Sequence, residues 1–319
     1  MPDSSGPFDR PVNPTPAGFT ALESEGEFDP EMLPGGAGVT AAAARKRARQ
    51  GLGFGGWVSA GFLFLLVLVV YTAQWNPYFQ NPDERFFPVG ASPSPAHPLG
   101  IDGNAHDILR QVVWGARVSL LIGLFAIVMG LAIGGTLGLF AGYLRGNYDR
   151  VVNIFFDVFL SVPALILALA FTQFLGNDWW MVAVALGLVS IPLLGRITRA
   201  STLTWSQRDF ITAARAQGAG GRRIMVREVL PNVAPAMFSV ALLGIAVAIV
   251  AEGSLSILGA GVSATTITWG NEMNLGYADL ASIPSAVLSP ATAIFFTTLA
   301  LNLLGDAIRK RHDAREAAL

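Results

Sequence analysis

Residues 118–144 read VSLLIGLFAIVMGLAIGGTLGLFAGYL and contain no charged side chain. A helix needs about 20 apolar residues to cross the hydrocarbon core of a bilayer, and this run is longer. Backbone N–H and C=O groups in lipid must pair within the structure, and the run lacks the apolar–polar alternation of a barrel strand. The stretch therefore predicts a membrane-spanning α-helix.

Five further apolar segments resemble this one in composition. Together the six segments cover residues 55–74, 118–144, 151–175, 179–195, 233–251 and 284–305. Of the 319 residues, 52% are hydrophobic and 13% are charged, whereas soluble domains carry about 25% charged residues. We predict an all-α membrane protein with six transmembrane helices.

The distribution of basic residues predicts the orientation in the membrane. Arginines and lysines cluster before the first segment, between the second and third, between the fourth and fifth, and after the sixth. Only Arg85, Arg110 and Arg117 fall on the other side. Because basic loops stay in the cytoplasm, both termini are expected there.

The regions outside the segments differ in composition. Residues 1–50 are expected to form a disordered acidic tail that ends in a basic cluster, because they offer too few apolar groups to fold. No signal peptide is expected, so the first segment would stay as an anchor. Residues 51–310 would form the transmembrane domain and 311–319 a cytoplasmic tail.

Two external loops, 75–117 and 252–283, are long, and residues 108–116 predict an amphipathic helix at the outer interface.

Several kinds of site are excluded by composition. Cysteine is absent and the three histidines are scattered, so we predict no catalytic centre and no metal site. A net charge of -1 gives no basic field for nucleic acid. Lys46 and Lys310 are each followed by Arg, so no Walker A motif exists in the chain. No cofactor is expected here, and any ATP and Mg²⁺ would bind to partner subunits.

The connection 196–232 reads RITRASTLTWSQRDFITAARAQGAGGRRIMVREVLPN and is long for a loop. Asp209 is expected to cap a short helix that Gly218 ends in a left-handed conformation. A second helix, Gly221 to Leu230, would lead to Pro231 at the start of the fifth spanning helix. From the residues alone, the short helix is equally compatible with a rigid peg for a partner's groove and with an interfacial helix whose arginines reach the lipid headgroups.

A few other residues carry specific expectations. Asp157 and Glu252 are ionisable groups near the membrane, so they should face the bundle or water and act as pairs or gates rather than as a proton relay. Helix-packing contacts are predicted for four glycines spaced four apart in the second segment: Gly130, Gly134, Gly138 and Gly142.

The chain resembles the permease subunits of ATP-binding-cassette importers. Its run from Asp209 to Ala219, followed by Leu230 and Pro231, is similar to that family's cytoplasmic EAA loop, except that Thr212 replaces the usual acid. Further similarity to the dipeptide, oligopeptide and nickel branch lies in HPLG at 97–100, GARVSL at 115–120, EGSLSILG at 252–259, WG at 269–270 and NLLGD at 302–306. The sequence from Ile101 to Asp107 departs from that branch.

This resemblance implies a function and a set of partners. It implies half of a pathway for short peptides, with nickel or another small solute as the alternative cargo and an ion-coupled secondary transporter as the alternative class. The partners would be a second homologous permease, two ATPases, an external substrate-binding protein and membrane lipid. It also implies that Trp269 belongs to a loop plug and that ATPase coupling involves Asp209, Ala213, Ala214, Arg215, Gly218, Leu230 and Pro231.

Overall fold

The computed structural model describes residues 52–316, with side chains to residue 311. The predicted acidic tail at 1–50 and most of the predicted tail at 311–319 lie outside that description. The helices are α1 (Gly53–Thr72), α2 (Ile108–Leu144), α3 (Gly146–Leu160), α4 (Ala164–Leu175), α5 (Trp179–Trp205), α6 (Asp209–Ala216), α7 (Gly221–Ile257), α8 (Trp269–Gly276) and α9 (Ser285–Glu316).

The membrane-spanning helices match the six apolar segments. Among residues 52–316, α1, α2, α5, α7 and α9 are each long and apolar enough to cross a bilayer. The pair α3 and α4 passes the same test when the two helices are taken together and forms the candidate sixth span. The predicted all-α membrane fold is confirmed.

The third predicted segment, 151–175, is not one straight helix. Its two halves, α3 and α4, meet at an angle of 87°. Pro163 stands at the break with φ −53° and ψ 129°, an extended conformation that cannot continue α3. Proline also lacks the N–H that the helical hydrogen-bond ladder needs, so α4 has to start afresh after it.

The predicted amphipathic interfacial helix at 108–116 is wrong, because these residues are the first turns of α2. Asp107 caps the helix by accepting a hydrogen bond from the Arg110 N–H at 3.0 Å. Arg110 and Gln111, expected on the exposed polar face, are buried. The outer loop covers them: the Gln111 side chain donates to the Pro82 carbonyl at 3.0 Å.

The connection at 196–232 is also more helical than predicted. Helix α5 continues to Trp205, and the expected second helix, Gly221 to Leu230, is the first part of α7. A wider π-helical turn at Met225–Val229 precedes Pro231. Because Pro231 has no N–H, such a turn absorbs the mismatch without ending the helix. The Asn232 side chain donates to the Glu228 carbonyl at 2.5 Å.

The bundle is centred on the contact between α2 and α5. Gly130 and Gly134 lie against Ser190 and Ile191, and Gly138 lies against Gly195. Gly142 lies one turn further along, against Thr202 and the carbonyl of Arg199. The missing side chains let the two backbones approach closely. Around this contact, α7 contributes Ala248 and Leu255 to the largest buried apolar cluster.

Candidate functional site

Helix α6 stands between the long helices α5 and α7 and is anchored by one residue. Ile211 is fully buried in an apolar cluster with Trp205 of α5 and with Ile224 and Val229 of α7. Thr212, Ala213 and Arg215 are exposed, whereas Ala214 is half-buried against the same cluster. The result is a short helix that is held to the bundle at Ile211 and has a free outer face.

The two ends of α6 are built differently from the prediction. Asp209 is the first residue of the helix and makes no cap; Arg208 occupies the capping position, and its side chain does not cap the helix. An acid in the first turn and Arg215 in the last still complement the helix dipole. Gly218 has φ +82°, which confirms the predicted left-handed end. The Ala219 N–H then reaches the Ala214 carbonyl at 3.0 Å.

The remaining two predicted coupling residues, Leu230 and Pro231, lie apart from α6. Both are exposed and follow the π-helical turn of α7. They stand at the point where α7 resumes a regular α-helical course. The structure thus places the predicted coupling residues in two groups, one on α6 and its end and one on α7.

A cleft of about 370 Å³ opens beside α6. Thr212 and Arg215 form one wall of this arginine cleft. The other wall joins the end of α2 to the turn after α5, and its residues are Tyr143, Arg145, Ser206 and Gln207. Sequence reasoning missed these four residues, because more than sixty positions separate Arg145 from Ser206 and no motif connects them.

Two ion pairs join α3 to α5. Asp157 pairs with Arg196, as the sequence allowed, and its side chain remains 65% exposed. Asp149 is held more firmly, because Arg199 donates to both of its carboxylate oxygens, one of them at 2.7 Å. These pairs connect the broken third span to the helix that leads into α6.

Glu252 and Trp269, predicted as gate or pathway residues, are both fully buried within this chain. Thr268 donates to the Glu252 Oε1 at 2.8 Å, and Ser256 donates to the same atom at 3.1 Å. The Trp269 indole donates to the Val112 carbonyl at 2.8 Å, and its backbone N–H donates to Ser119 Oγ at 3.1 Å. This junction fastens α8 to α2 and α7.

A second polar cluster fastens the outer loop to the start of α2. Asp107 is fully buried and accepts from Tyr78 at 2.6 Å, while His97 Nδ1 lies 2.6 Å from the same carboxylate oxygen. Burial, followed by the hydrogen bond to Asp107, raises the pKa of Tyr78 above its ordinary value. Arg110 donates to Glu84 at 2.7 Å and stacks over Tyr78 and Phe86. Of the residues in this cluster that hold the loop, only Asp107 directly precedes a helix that the sequence predicted, the one at 108–116.

Glu272 on α8 shares a small cavity with Asp102 and Gln111. Gln111 Oε1 is buried and has no hydrogen-bond partner among the described residues. Burial, with the nearby charges of Asp102 and Asp83, raises the pKa of Glu272 from 4.5 to about 8. A protonated Glu272 carboxyl can donate into this cavity of acceptors, whereas the carboxylate cannot.

A pH dependence of stability follows from Glu272. The folded state holds this proton more tightly than the unfolded chain, whose pKa is near 4.3, so stability falls as pH rises from about 4.5 to about 8. The slope is at most about 1.4 kcal/mol per pH unit. Asp102 lines the cavity, and other charged groups lie nearby: Asp83 acts on Glu272 through space, His106 lies 3.5 Å from Asp102, and Asp279 lies against Gly103. We expect Glu272→Gln to flatten thermal unfolding profiles measured between pH 5 and pH 9. Parallel wild-type and variant profiles would contradict the assignment.

The described part of the chain offers no group of three or more His, Asp or Glu side chains arranged for a metal ion. Its charged side chains act in pairs instead, as at Arg199 with Asp149 and Arg110 with Glu84. The features with room for a partner are therefore the free face of α6 and the arginine cleft beside it.

Comparisons with known proteins agree on one family. The family described as "Binding-protein-dependent transport system inner membrane component" matches residues 134–317. The glutathione transport system permease protein GsiD of Pectobacterium atrosepticum is 36% identical over 262 residues, which cover 81% of this chain and 86% of that protein. GsiD of Escherichia coli O6:K15:H31 is 37% identical over 258 residues, covering 81% and 85%.

A solved structure is similar in fold. A chain of the MetNI methionine ABC transporter, in an inward-facing conformation, aligns with a TM-score of 0.52 and 18% sequence identity. The alignment covers 63% of this chain and 97% of that chain. At this identity the likeness concerns the fold alone.

Proposed function

Because the chain belongs to the family of binding-protein-dependent inner-membrane transport components, we propose that it forms half of the translocation pathway of an importer for short peptides. The chain is a multi-pass permease subunit of an ABC importer and not an enzyme, and the ATPase is a separate chain. One observation carries the proposal: α6 is a short exposed helix whose buried residue, Ile211, packs between two membrane-spanning helices.

Helix α6 has the properties of a coupling element. Ile211 packs against Trp205 of α5 and Val229 of α7. Because of these contacts, a displacement of α6 would move both membrane-spanning helices. Its exposed face carries small residues, Ala213 above all, that fit closely into a groove. In this proposal Asp209, Arg215 and Gly218 shape the docking face, while Leu230 and Pro231 lie where α7 begins its regular course.

Peptide cargo is supported by the relatives. The GsiD proteins are named as glutathione transport permeases, and glutathione is a short peptide. Charged side chains are scarce in the six spans of this chain, which is compatible with cargo that is recognised mainly outside the membrane. Nickel complexes or other small solutes are the alternative outcome of an uptake assay.

The proposed assembly contains a second homologous permease, two ATPase subunits and an external substrate-binding protein. With both termini in the cytoplasm, α6 faces the ATPases and the outer loops face the binding protein. Those outer loops are held rigidly, since Asp107 and Trp269 are buried and hydrogen-bonded. Rigid outer loops would let a docked binding protein favour one conformation of the bundle over another.

Transport would follow from a population shift. ATP-driven closure of the ATPases favours one position of α6, and α5 and α7 transmit that position to the pathway. Asp157 with Arg196, and Glu252 with Trp269, would act as contacts that stabilise one arrangement of the helices. The four glycines of α2 would keep α2 and α5 moving as one body.

The test is uptake into proteoliposomes that contain both permeases and the ATPases, with the binding protein outside. We expect uptake of short peptides to require ATP and to be abolished when ATP is depleted while a proton gradient is maintained. The purified chain alone should not hydrolyse ATP. Uptake that persists on the gradient without ATP would instead support an ion-coupled transporter.

A further inference from the structure

Building on the proposed function, we propose that the arginine cleft beside α6 binds an acidic side chain of the docked ATPase subunit. Arg145 and Arg215 would clasp its carboxylate from two sides. The cleft thus forms a second contact point, which is positively charged, next to the docking face of α6.

The lining of the cleft carries an excess of positive charge. Its six residues include two arginines and no acid; the others are Tyr143, Ser206, Gln207 and Thr212. Asp149 on the adjoining helix α3 attracts Arg145 through space, but Arg199 holds both of the Asp149 carboxylate oxygens. A site lined by two guanidinium groups and by hydroxyl and amide groups is a receptor for an anion.

The two arginines have few contacts of their own. Arg145 donates to Ser206 Oγ at 3.3 Å, a long hydrogen bond. Arg215 lies 6.0 Å from the centre of the Tyr143 ring, at the outer limit of a cation–π contact. Their remaining N–H groups are thus available to an incoming carboxylate, and bidentate pairing with a carboxylate is the geometry that guanidinium groups prefer.

The backbone at Arg145 supports a built site. Arg145 has φ +57° and ψ −161°, a backbone conformation that is strained for a residue with a side chain. Its N–H still bonds to the Ala141 carbonyl at 3.1 Å, so the conformation is fixed by the end of α2. Strain of this kind is typical of positions that hold a side chain for binding.

The position of the cleft favours the ATPase over other anions. Thr212 and Arg215 belong both to the exposed face of α6 and to the wall of the cleft. A subunit that docks on α6 therefore covers the cleft and excludes water from it. Removing water strengthens a charge pair, so a partner acid here would contribute to affinity as well as to orientation.

The experiment measures binding of the purified ATPase to the permease pair in nanodiscs. The variants are Arg145→Gln and Arg215→Gln, with Arg150→Gln as the control, since Arg150 is an exposed arginine on α3 outside the cleft. Each cleft variant is expected to weaken binding about tenfold, which corresponds to about 1.4 kcal/mol, because it removes a charged hydrogen-bond donor to the carboxylate. The control should bind within twofold of wild type. The wild-type affinity should also fall with salt more steeply than that of the cleft variants.

A second kind of variant keeps the proposal testable if the glutamine variants fail to fold. Gln207→Glu adds an acid at an exposed position of the cleft wall and leaves both arginines in place. The new carboxylate should occupy the cleft and weaken ATPase binding by a similar factor. Normal binding by Gln207→Glu, or by both glutamine variants, overturns the proposal.

The lipid composition separates the remaining outcomes. In phosphatidylcholine nanodiscs the cleft variants should lose as much affinity for the ATPase as they do when anionic lipid is present. If the cleft variants lose affinity only when anionic phosphatidylglycerol is present, a lipid phosphate occupies the cleft and the proposal is wrong. If the wild-type pair fails to bind the ATPase in either lipid, the proposed function itself fails. Wild-type binding with unaffected cleft variants removes only the present inference.

Discussion

Gly138→Ala is expected to lower the unfolding temperature of the protein by roughly 2–12 °C. A Cβ at this position would meet the Gly195 carbonyl oxygen and would lie 2.9 Å from its carbon and 3.0 Å from the Arg199 nitrogen. All three atoms are backbone atoms of α5, so no side chain can rotate away. Overpacking of this kind costs about 1–3 kcal/mol, since the two helices must separate.

The control for this prediction is Gly61→Ala on α1. A Cβ there meets nothing within 4 Å, and alanine favours a helix over glycine. We therefore expect Gly61→Ala to leave the unfolding temperature unchanged or to raise it slightly. The measurement is thermal unfolding in detergent, followed by size-exclusion chromatography. Equal unfolding temperatures for the two variants would show that α2 and α5 do not pack as closely as described.

Gly218→Ala is expected to reduce ATP-driven uptake about tenfold while leaving the spanning bundle folded. Gly218 has φ +82° and open space around it, so a new methyl group meets no atom and only the backbone is strained. The left-handed conformation costs an L-residue about 1–2 kcal/mol, which corresponds to roughly five- to thirtyfold in an equilibrium. The strain falls on the turn that fixes α6 relative to α7.

Gly220→Ala provides the matched control. Gly220 lies two residues away with φ −69° and ψ 151°, a conformation that any residue adopts, and its surroundings are equally open. Uptake by Gly220→Ala should therefore stay near the wild-type level. The measurement is peptide uptake per ATP hydrolysed in proteoliposomes. A similar loss in both variants would mean that the left-handed end of α6 is unimportant for coupling.

Some features of the site were accessible from the sequence because they are local. Gly218 follows a short run of helix formers, and a glycine at that point favours a left-handed end, as the structure has it. The predicted capping role of Asp209 is wrong, and the reason is also local. The helix begins one residue earlier than a capping aspartate requires, so Asp209 contributes only its charge.

Other features depend on contacts that no local pattern reports. Arg110 and Gln111 are on the polar side of an amphipathic pattern, which indicated exposure, yet the outer loop folds over them. The break at Pro163 likewise needed the structure, because a proline inside an apolar run is compatible with a kink, a break or a new helix.

The amino-acid sequence by itself determined a membrane protein with six long apolar segments, because hydrophobic length and charge distribution are properties of contiguous residues. It also determined the spacing of the α2 glycines and the position of the short helix α6. Only the tertiary structure decided that Arg145 and Arg215 share a cleft and that Asp107 and Glu252 are buried. The physical reason is that these contacts join residues far apart in the chain, and their distances depend on how whole helices pack.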